Sequence, residues 1–484
     1  MWTRRQLLQR SAACAALISW QPRRTDSDRD AVALLDKARA LCADLPAERR
    51  RLRLLLPEGS AANVLPVSRT FEEKTGVAFE FREVHVDEVA SIAMLASVAG
   101  RSSFDIALPA TFGIPDLVEA GVLRPLCDFA ERHEPSDLLE GSLYRQGNRY
   151  RNKFYGYQTD GDVYVMFYNR SLMEDAKLSE AYADRHGQKL RVAKTWEELD
   201  AQMAFLHAPD QGRFGGTLFR IPGYIEWEWW IRLHAKGVLP VNDDMTPTFD
   251  GPEGVAALEE LIRASAWQTP AAATQGLFDN WADFAAGHAF CNIGWGGTQK
   301  YLNGETSSVR GRLLFGPTPG GESQGQLLPV SYFNWGWNYV VANTSPVPEL
   351  AYLFTLFASL PGPSTESVRE AGGFFDPHRE EHYEDSAVNA VYTDGFLAQH
   401  RESLGDCVPD FYLHGRDEYF AALGRYLDRA NRGELAPARA LLLASRAWEK
   451  ITDRLGREGQ AEQWLHLKRS YPRHVLDAVA GSRD

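Results

Sequence analysis

Two carboxylates spaced two residues apart, Asp160 and Asp162, interrupt an unusually aromatic stretch. It reads Phe154-Tyr155-Gly156-Tyr157-Gln158-Thr159-Asp160-Gly161-Asp162-Val163-Tyr164-Val165-Met166-Phe167-Tyr168. Strand signals this dense on either side predict burial on both faces. A buried carboxylate then needs a partner, because unpaired buried charge is costly. A ligand rich in hydroxyls can supply one; an acidic hairpin turn is the competing reading. The second group is aromatic. Of 13 tryptophans, eight lie between residues 227 and 337. Trp295 sits in Gly294-Trp295-Gly296-Gly297, and Trp335 and Trp337 in Asn334-Trp335-Gly336-Trp337-Asn338. Glycine beside tryptophan lets backbone approach whatever the ring covers. An indole next to amides and carboxylates suits a sugar, whose C–H face packs on the ring while its hydroxyls bond the polar groups. Trp267 and Trp281 fit helix packing instead. Trp227, Trp229 and Trp230 cannot all face one way on a helix, so one of them, Trp227, is assigned to the ligand.

Two catalytic chemistries compete with binding. His378-Arg379-Glu380-Glu381-His382 fits H-x-x-E-H, a zinc-peptidase pattern whose histidines converge only on a helix. No third ligand is evident, and a five-residue match in a long chain is cheap. A glycoside hydrolase needs two carboxylates about 5–10 Å apart across the sugar, and Asp160 and Asp162 lack an evident opposing partner. There is no G-x-S-x-G elbow and no glycine-rich phosphate loop, so serine-hydrolase and nucleotide readings have no residues to rest on. Cys42, Cys127, Cys291 and Cys407 are widely spaced with no C-x-x-C, which removes zinc-cluster and dithiol readings; free, buried thiols are expected.

These groups must be carried by a large acidic body. At 484 residues the chain exceeds one ordinary core, so two domains are expected. Hydrophobic content of 44% and charged content of 24% fit a globular protein, and no stretch approaches the ~20 apolar residues of a membrane helix. The formal charge is −13, and five arginines within the first 25 residues leave the remainder at −18. That argues against nucleic acid or an anionic membrane surface as partner. The same arginines, in Thr3-Arg4-Arg5-Gln6-Leu7-Leu8 before a short apolar run, resemble a twin-arginine export signal.

Periodicity then predicts the elements. Residues 31–51 read as an exposed helix ahead of the body. Strands at 52–56, 77–83 and 104–108 alternate with helices at 64–74, 86–99 and 114–120, a β-α-β-α-β order that means a doubly wound, mostly parallel α/β sheet. Ligands in such sheets gather at the carboxyl ends of strands. The pattern restarts after Asn169, with a capping box at Thr195 and Glu198, an aromatic helix at 224–236, a strand at 289–295, and a mainly helical stretch from 417 to 468.

At this point the chain resembles the family 1 extracellular solute-binding proteins, the sugar-capturing components of ABC importers. The resemblance runs from Arg51 to Leu467. It rests on the order of Phe71-Glu72-Glu73-Lys74-Thr75-Gly76-Val77, Phe104-Asp105-Ile106-Ala107-Leu108, Lys153–Arg170, Trp281–Gly297, Gly336–Val341 and Gly372–Arg379. It implies an α/β, two-lobed, periplasmic-binding-protein-like fold of type II, each lobe a mostly parallel sheet flanked by helices. The expected division is an export signal at 1–30, a linker helix at 31–50, lobe one at 51–159 and 295–337, lobe two at 164–289 and 343–475, hinges at 160–163, 290–294 and 338–342, and a tail at 476–484. The resemblance also implies ligand contacts at Glu58, Thr111, Phe112, Asp160, Trp295, Trp337 and Arg379; Asp162, Trp227 and Trp335 join them from the residue reading. The expected function is capture of a sugar or polyol by hinge closure and delivery to an ABC permease; service to a sensor is the variant reading. The expected protein is not an enzyme and is a periplasmic or extracytoplasmic monomer with no cofactor, no metal and no nucleic-acid partner.

Overall fold

The computed structural model describes residues 23–100, 103–323 and 325–481; the twin-arginine motif lies outside the described residues. Two mixed sheets form the frame. The first holds β1 (Arg51–Pro57), β2 (Ala78–Val84), β3 (Ile106–Ala107), β4 (Gly156–Gln158) and β9 (Asn338–Val341), in the order β2-β1-β3-β9-β4. β1 is parallel to β2 and β3, whereas β9 runs antiparallel to β3 and β4, with Val340 opposite both Ala107 and Gly156. The second sheet holds β5 (Val165–Asn169), β6 (Phe214–Gly216), β7 (Ala289–Gly294) and β8 (Leu313–Pro317), in the order β8-β5-β7-β6. Here only β6 and β7 are parallel; β5 is antiparallel to both of its neighbours. The antiparallel strands in each sheet are the ones that adjoin a crossing between lobes.

Strand pairing redraws the expected boundaries. The chain first passes between the two sheets at 159–164, from β4 to β5. β7, read as a hinge at 290–294, instead pairs along its length with β5 and leads into a helix at Gly296–Leu302. β8 also pairs with β5, so 295–317 belongs with the second sheet and not with lobe one. The chain returns at 332–337, and β9 joins the first sheet. The helices Pro348–Ala358 and Pro361–Arg369 then pack on the first lobe, where Phe354 meets Phe71 and Phe79. They had been assigned to lobe two. A third crossing, 371–379, leads to the helix Asp394–Gly405, whose Phe396 stacks on Phe167 of β5. The reason is topological: each lobe is closed by chain that has visited the other, so neighbourhood in sequence misassigns the returns.

Both ends are also more integrated than expected. The helix Arg23–Ala43 is not a free linker, since Leu34, Leu35, Ala38 and Cys42 are buried in the first lobe's core. The helix Arg473–Gly481 stands where a tail was expected, with Val475 and Val479 buried. Cys42, Cys127, Cys291 and Cys407 are free thiols, all but Cys127 buried. The capping box at Thr195 forms in part, its hydroxyl accepting from the Glu198 N–H at 3.2 Å. Among the described residues no helix is long and apolar enough to cross a membrane.

Candidate functional site

The carboxyl ends of β2 and β3 deliver Val86–Ala90 and Ala110–Gly113 to the edge of the first lobe. Opposite them stand two helix starts of the second lobe, Ile225–His234 and Arg416–Asn431. Between lies a cavity of about 590 Å³ lined by Phe112, Gly223, Glu226, Trp227, Trp335 and Arg416, among others. The wall is aromatic because each of three remote segments contributes rings. Trp227 is in the first turn of its helix, Phe112 follows β3, and Trp335 rides on the crossing at 332–337. The ring centroids of Trp227 and Trp335 are 5.2 Å apart, and Phe112 is 5.8 Å from Trp335. Trp295 and Trp337 stand behind this wall, 5.7 and 5.8 Å from Trp335, and all four indoles are buried. Of the tryptophan triplet only Trp227 lines the cavity. Trp229 donates its indole N–H to Gly254 O, and Trp230 packs on Phe411, Phe420 and Trp448.

Charge in the cavity is tightly committed. The Arg416 guanidinium lies 3.8 Å from the Phe112 ring centre and 4.0 Å from that of Phe420. It donates through Nε and Nη2 to the Asp410 carboxylate at 3.1 and 2.8 Å, and through Nη1 to Asp417 at 3.3 Å. Burial works against its charge, but Asp410 outweighs this and holds it cationic. Glu226 accepts from the Gly223 N–H at 2.9 Å, and burial pushes its carboxyl up to about 7. By contrast, the buried Trp335 Nε1 has no acceptor among the described residues. An unpaired buried donor is unfavourable.

Other expected ligand contacts lie elsewhere. Asp160 and Asp162 are enclosed in the crossings with Asp376, their carboxylate oxygens within 4.8 Å of one another. Burial, then the neighbouring carboxylates, raises Asp160 and Asp162 well above the usual carboxylate range; burial also raises Asp376, to about 6. Lys300, lowered to about 8 by burial, faces Asp376 and Asp160. Thr111 is turned inward, its hydroxyl donating to Asn338 Oδ1 at 2.7 Å. Glu58 is exposed and does not line the cavity. Arg379 is buried and spends its donors on Leu138 O and Glu140 O, each at 2.8 Å, so it fastens a loop of the first lobe.

Among the described residues, those of the H-x-x-E-H motif do not come together in a group of three or more that could share a metal ion. Their helix spans only Glu380–Glu384, so His378 precedes it. His382 Nδ1 accepts from the His378 N–H at 3.2 Å, and its Nε2 pairs with Ser364 Oγ at 3.1 Å. Burial holds His378 neutral, down to about 3, and His382 well below the usual imidazole range.

The sequence reading missed Glu226, Arg416 and the segment after β2. Arg416 follows Gly415 at the start of a predicted helix, but nothing local ties it to Phe112, some 300 residues earlier.

A larger groove, about 1040 Å³, lies nearby and is lined by Arg149, Tyr150, Tyr412 and Gln463. Between the two cavities His414 Nδ1 pairs with Asp116 Oδ1 at 2.8 Å, and the Gly415 N–H donates to the same oxygen at 2.6 Å. These bonds join the lobes.

Comparison with known proteins agrees with this geometry. The family described as bacterial extracellular solute-binding protein matches residues 67–390, about two thirds of the chain. A probable amino-acid ABC transporter periplasmic-binding protein of Sinorhizobium fredii is 26% identical over 324 residues, covering 64% of this chain and 69% of that one. Among solved structures, a ribitol complex of an ABC transporter solute-binding protein from Agrobacterium radiobacter K84 has a TM-score of 0.70 at 18% identity. It covers 83% of this chain and 98% of its own. Maltose-bound MalE3 of T. maritima also has a TM-score of 0.70, at 15% identity, covering 83% and 99%. The match covers more than half of the chain, and the chain belongs to the bacterial extracellular solute-binding proteins.

Proposed function

We propose that the protein captures a neutral polyol or small sugar in the cavity between its lobes and delivers it to an ABC permease, without chemistry on the ligand. One observation carries the reading: Phe112, Trp227 and Trp335 converge from three distant segments on one cavity, and the buried Trp335 N–H there lacks an acceptor. Rings pack on C–H faces, and the free donor suits a hydroxyl oxygen. The ligands of the two structural neighbours, ribitol and maltose, support the same class. Export by the arginine-rich N-terminus belongs to this reading.

A second reading, an amino acid, is suggested by the Sinorhizobium relative and by the opposite charges of Arg416 and Asp417 at the cavity. It is the weaker one. Recognition of an α-carboxylate favours a bidentate arginine, and the paired face of Arg416 is already occupied by Asp410. A thermal-shift screen separates the two. Polyols and sugars at millimolar concentration should raise the melting temperature, since a ligand held only by the native state stabilises it. A shift with amino acids alone would replace the proposal by the second reading.

A further inference from the structure

We infer that Asp160, Asp162 and Asp376 hold a divalent cation, Ca²⁺ in the first instance, that ties together the three crossings between the lobes. All three side chains are buried, Asp160 and Asp376 completely. Each has one oxygen fixed by a backbone N–H. Asp376 N donates to Asp160 at 2.6 Å, Gly336 N to Asp162 at 3.2 Å, and Gly296 N to Asp376 at 2.6 Å. Such outer bonds orient carboxylates as they do around metal ions. Asp160 comes from the first crossing, Gly336 from the second and Asp376 from the third, so the cluster is the point where all three meet.

The second observation is Asp160 Oδ2. It is wholly buried, sits in the cluster, and has no hydrogen-bond partner among the described residues. A buried acceptor left open this way asks for a cation or a proton. Charge favours the cation. Lys300 is the ammonium that acts on Asp160 and Asp376, and its own donors go to Glu370 O and Phe375 O at 2.9 and 3.1 Å. With all three ionised, as a bound cation requires, three carboxylates against one ammonium leave two negative charges, which one divalent ion cancels. The ligands are all oxygens, which selects a hard ion. Ca²⁺ is placed first because it tolerates irregular oxygen geometry, whereas Mg²⁺ demands a near-ideal octahedron. The inference does not depend on the identity of the solute.

The test uses the full chain, freed of metal with a chelator and dialysed into buffer of constant ionic strength. Calorimetric titration with CaCl₂ should show one site per chain. The melting temperature should climb with Ca²⁺, more than with Mg²⁺ and not with Na⁺ at matched ionic strength. Asp160→Asn, which keeps the shape and removes the open oxygen's charge, should weaken Ca²⁺ binding by about tenfold or more. Were this variant not to fold, the wild-type titration decides alone. No calcium uptake and no ion-specific shift at millimolar Ca²⁺ would overturn the inference and leave protons as the neutralising species. Uptake that persists unchanged in Asp160→Asn would overturn it too, by placing the ion elsewhere.

Discussion

Trp335 concentrates two properties that are normally separate. Its ring packs against Phe112, Trp227, Trp295 and Trp337, while its N–H is left without an acceptor. Trp335→Phe should therefore keep most of the packing and lose the donor. The expected result is weaker solute binding by about three- to tenfold, the worth of one hydrogen bond, with melting temperature nearly unchanged, read by calorimetric titration. Arg416 is a different case. Its guanidinium is held by Asp410 and stacked between Phe112 and Phe420. Arg416→Met fills similar volume but strands a buried carboxylate. Breaking such a pair costs about 3–5 kcal/mol, which urea denaturation would register as a fall in the midpoint. In the motif that looked most like a catalyst, both histidines are buried and His382 is bonded through both ring nitrogens, to the His378 N–H and to Ser364. Its match to a peptidase pattern was legible in the sequence, but that the helix begins only after His378 was not.

At the scale of elements, the crossings are where steric tolerance is smallest. Gly161 lies between the two acidic residues, and a Cβ there would stand 2.1 Å from Pro377 O. Gly336 has φ of +63°, and a Cβ would meet the Phe333 ring at 2.5 Å. Alanine at Gly161 must push the first crossing away from the third, because the obstacle is backbone and cannot rotate aside. Overpacking of this kind costs about 1–3 kcal/mol. We expect Gly161→Ala to lower stability by that amount in chemical denaturation and to weaken solute capture. An unchanged midpoint would mean that the crossings move independently. The first crossing was legible because aromatic strands flank a polar knot. The second was not, since β7 and β9 are both buried throughout and composition does not say which strand each pairs with.

For the whole molecule, the bond between His414 and Asp116 ties closure to pH. His414 is raised above its ordinary 6.5, first by its hydrogen bond to Asp116, with burial opposing. Asp116 belongs to the first lobe and His414 to the second, so the bond exists only when the lobes meet. Below pH 6.5 the imidazole is protonated in open and closed forms alike, and the clasp contributes in full. As pH rises from 6.5 through the raised value, closing must take up a proton, so closure weakens. Solute affinity should fall across that window and level off above it. The same titration on His414→Gln should be flat over that range. Small-angle scattering with and without ligand would check that affinity follows compaction.

What the linear chain determined by itself was the kind of protein this is. Aromatic strands around Asp160, glycine-flanked tryptophans and a β-α-β-α-β order are local signals, and local signals survive without knowledge of what lies opposite. They sufficed for α/β folding in two domains and for Trp227 and Trp335 as candidate contacts, both of which line the cavity; the two lobes, the cleft between them and Phe112 came from the family resemblance. Tertiary structure decided which polar groups face the cleft. Asp160, Asp162 and Arg379 have the side chains of ligand contacts, yet the crossings fold over them and fix them with bonds to backbone. Arg416, which no local pattern singled out, reaches Phe112 from more than 300 residues away. A charged side chain carries the same signal whether it is sealed into a hinge or aimed at a ligand, and only the path of the chain between the two lobes separates those outcomes.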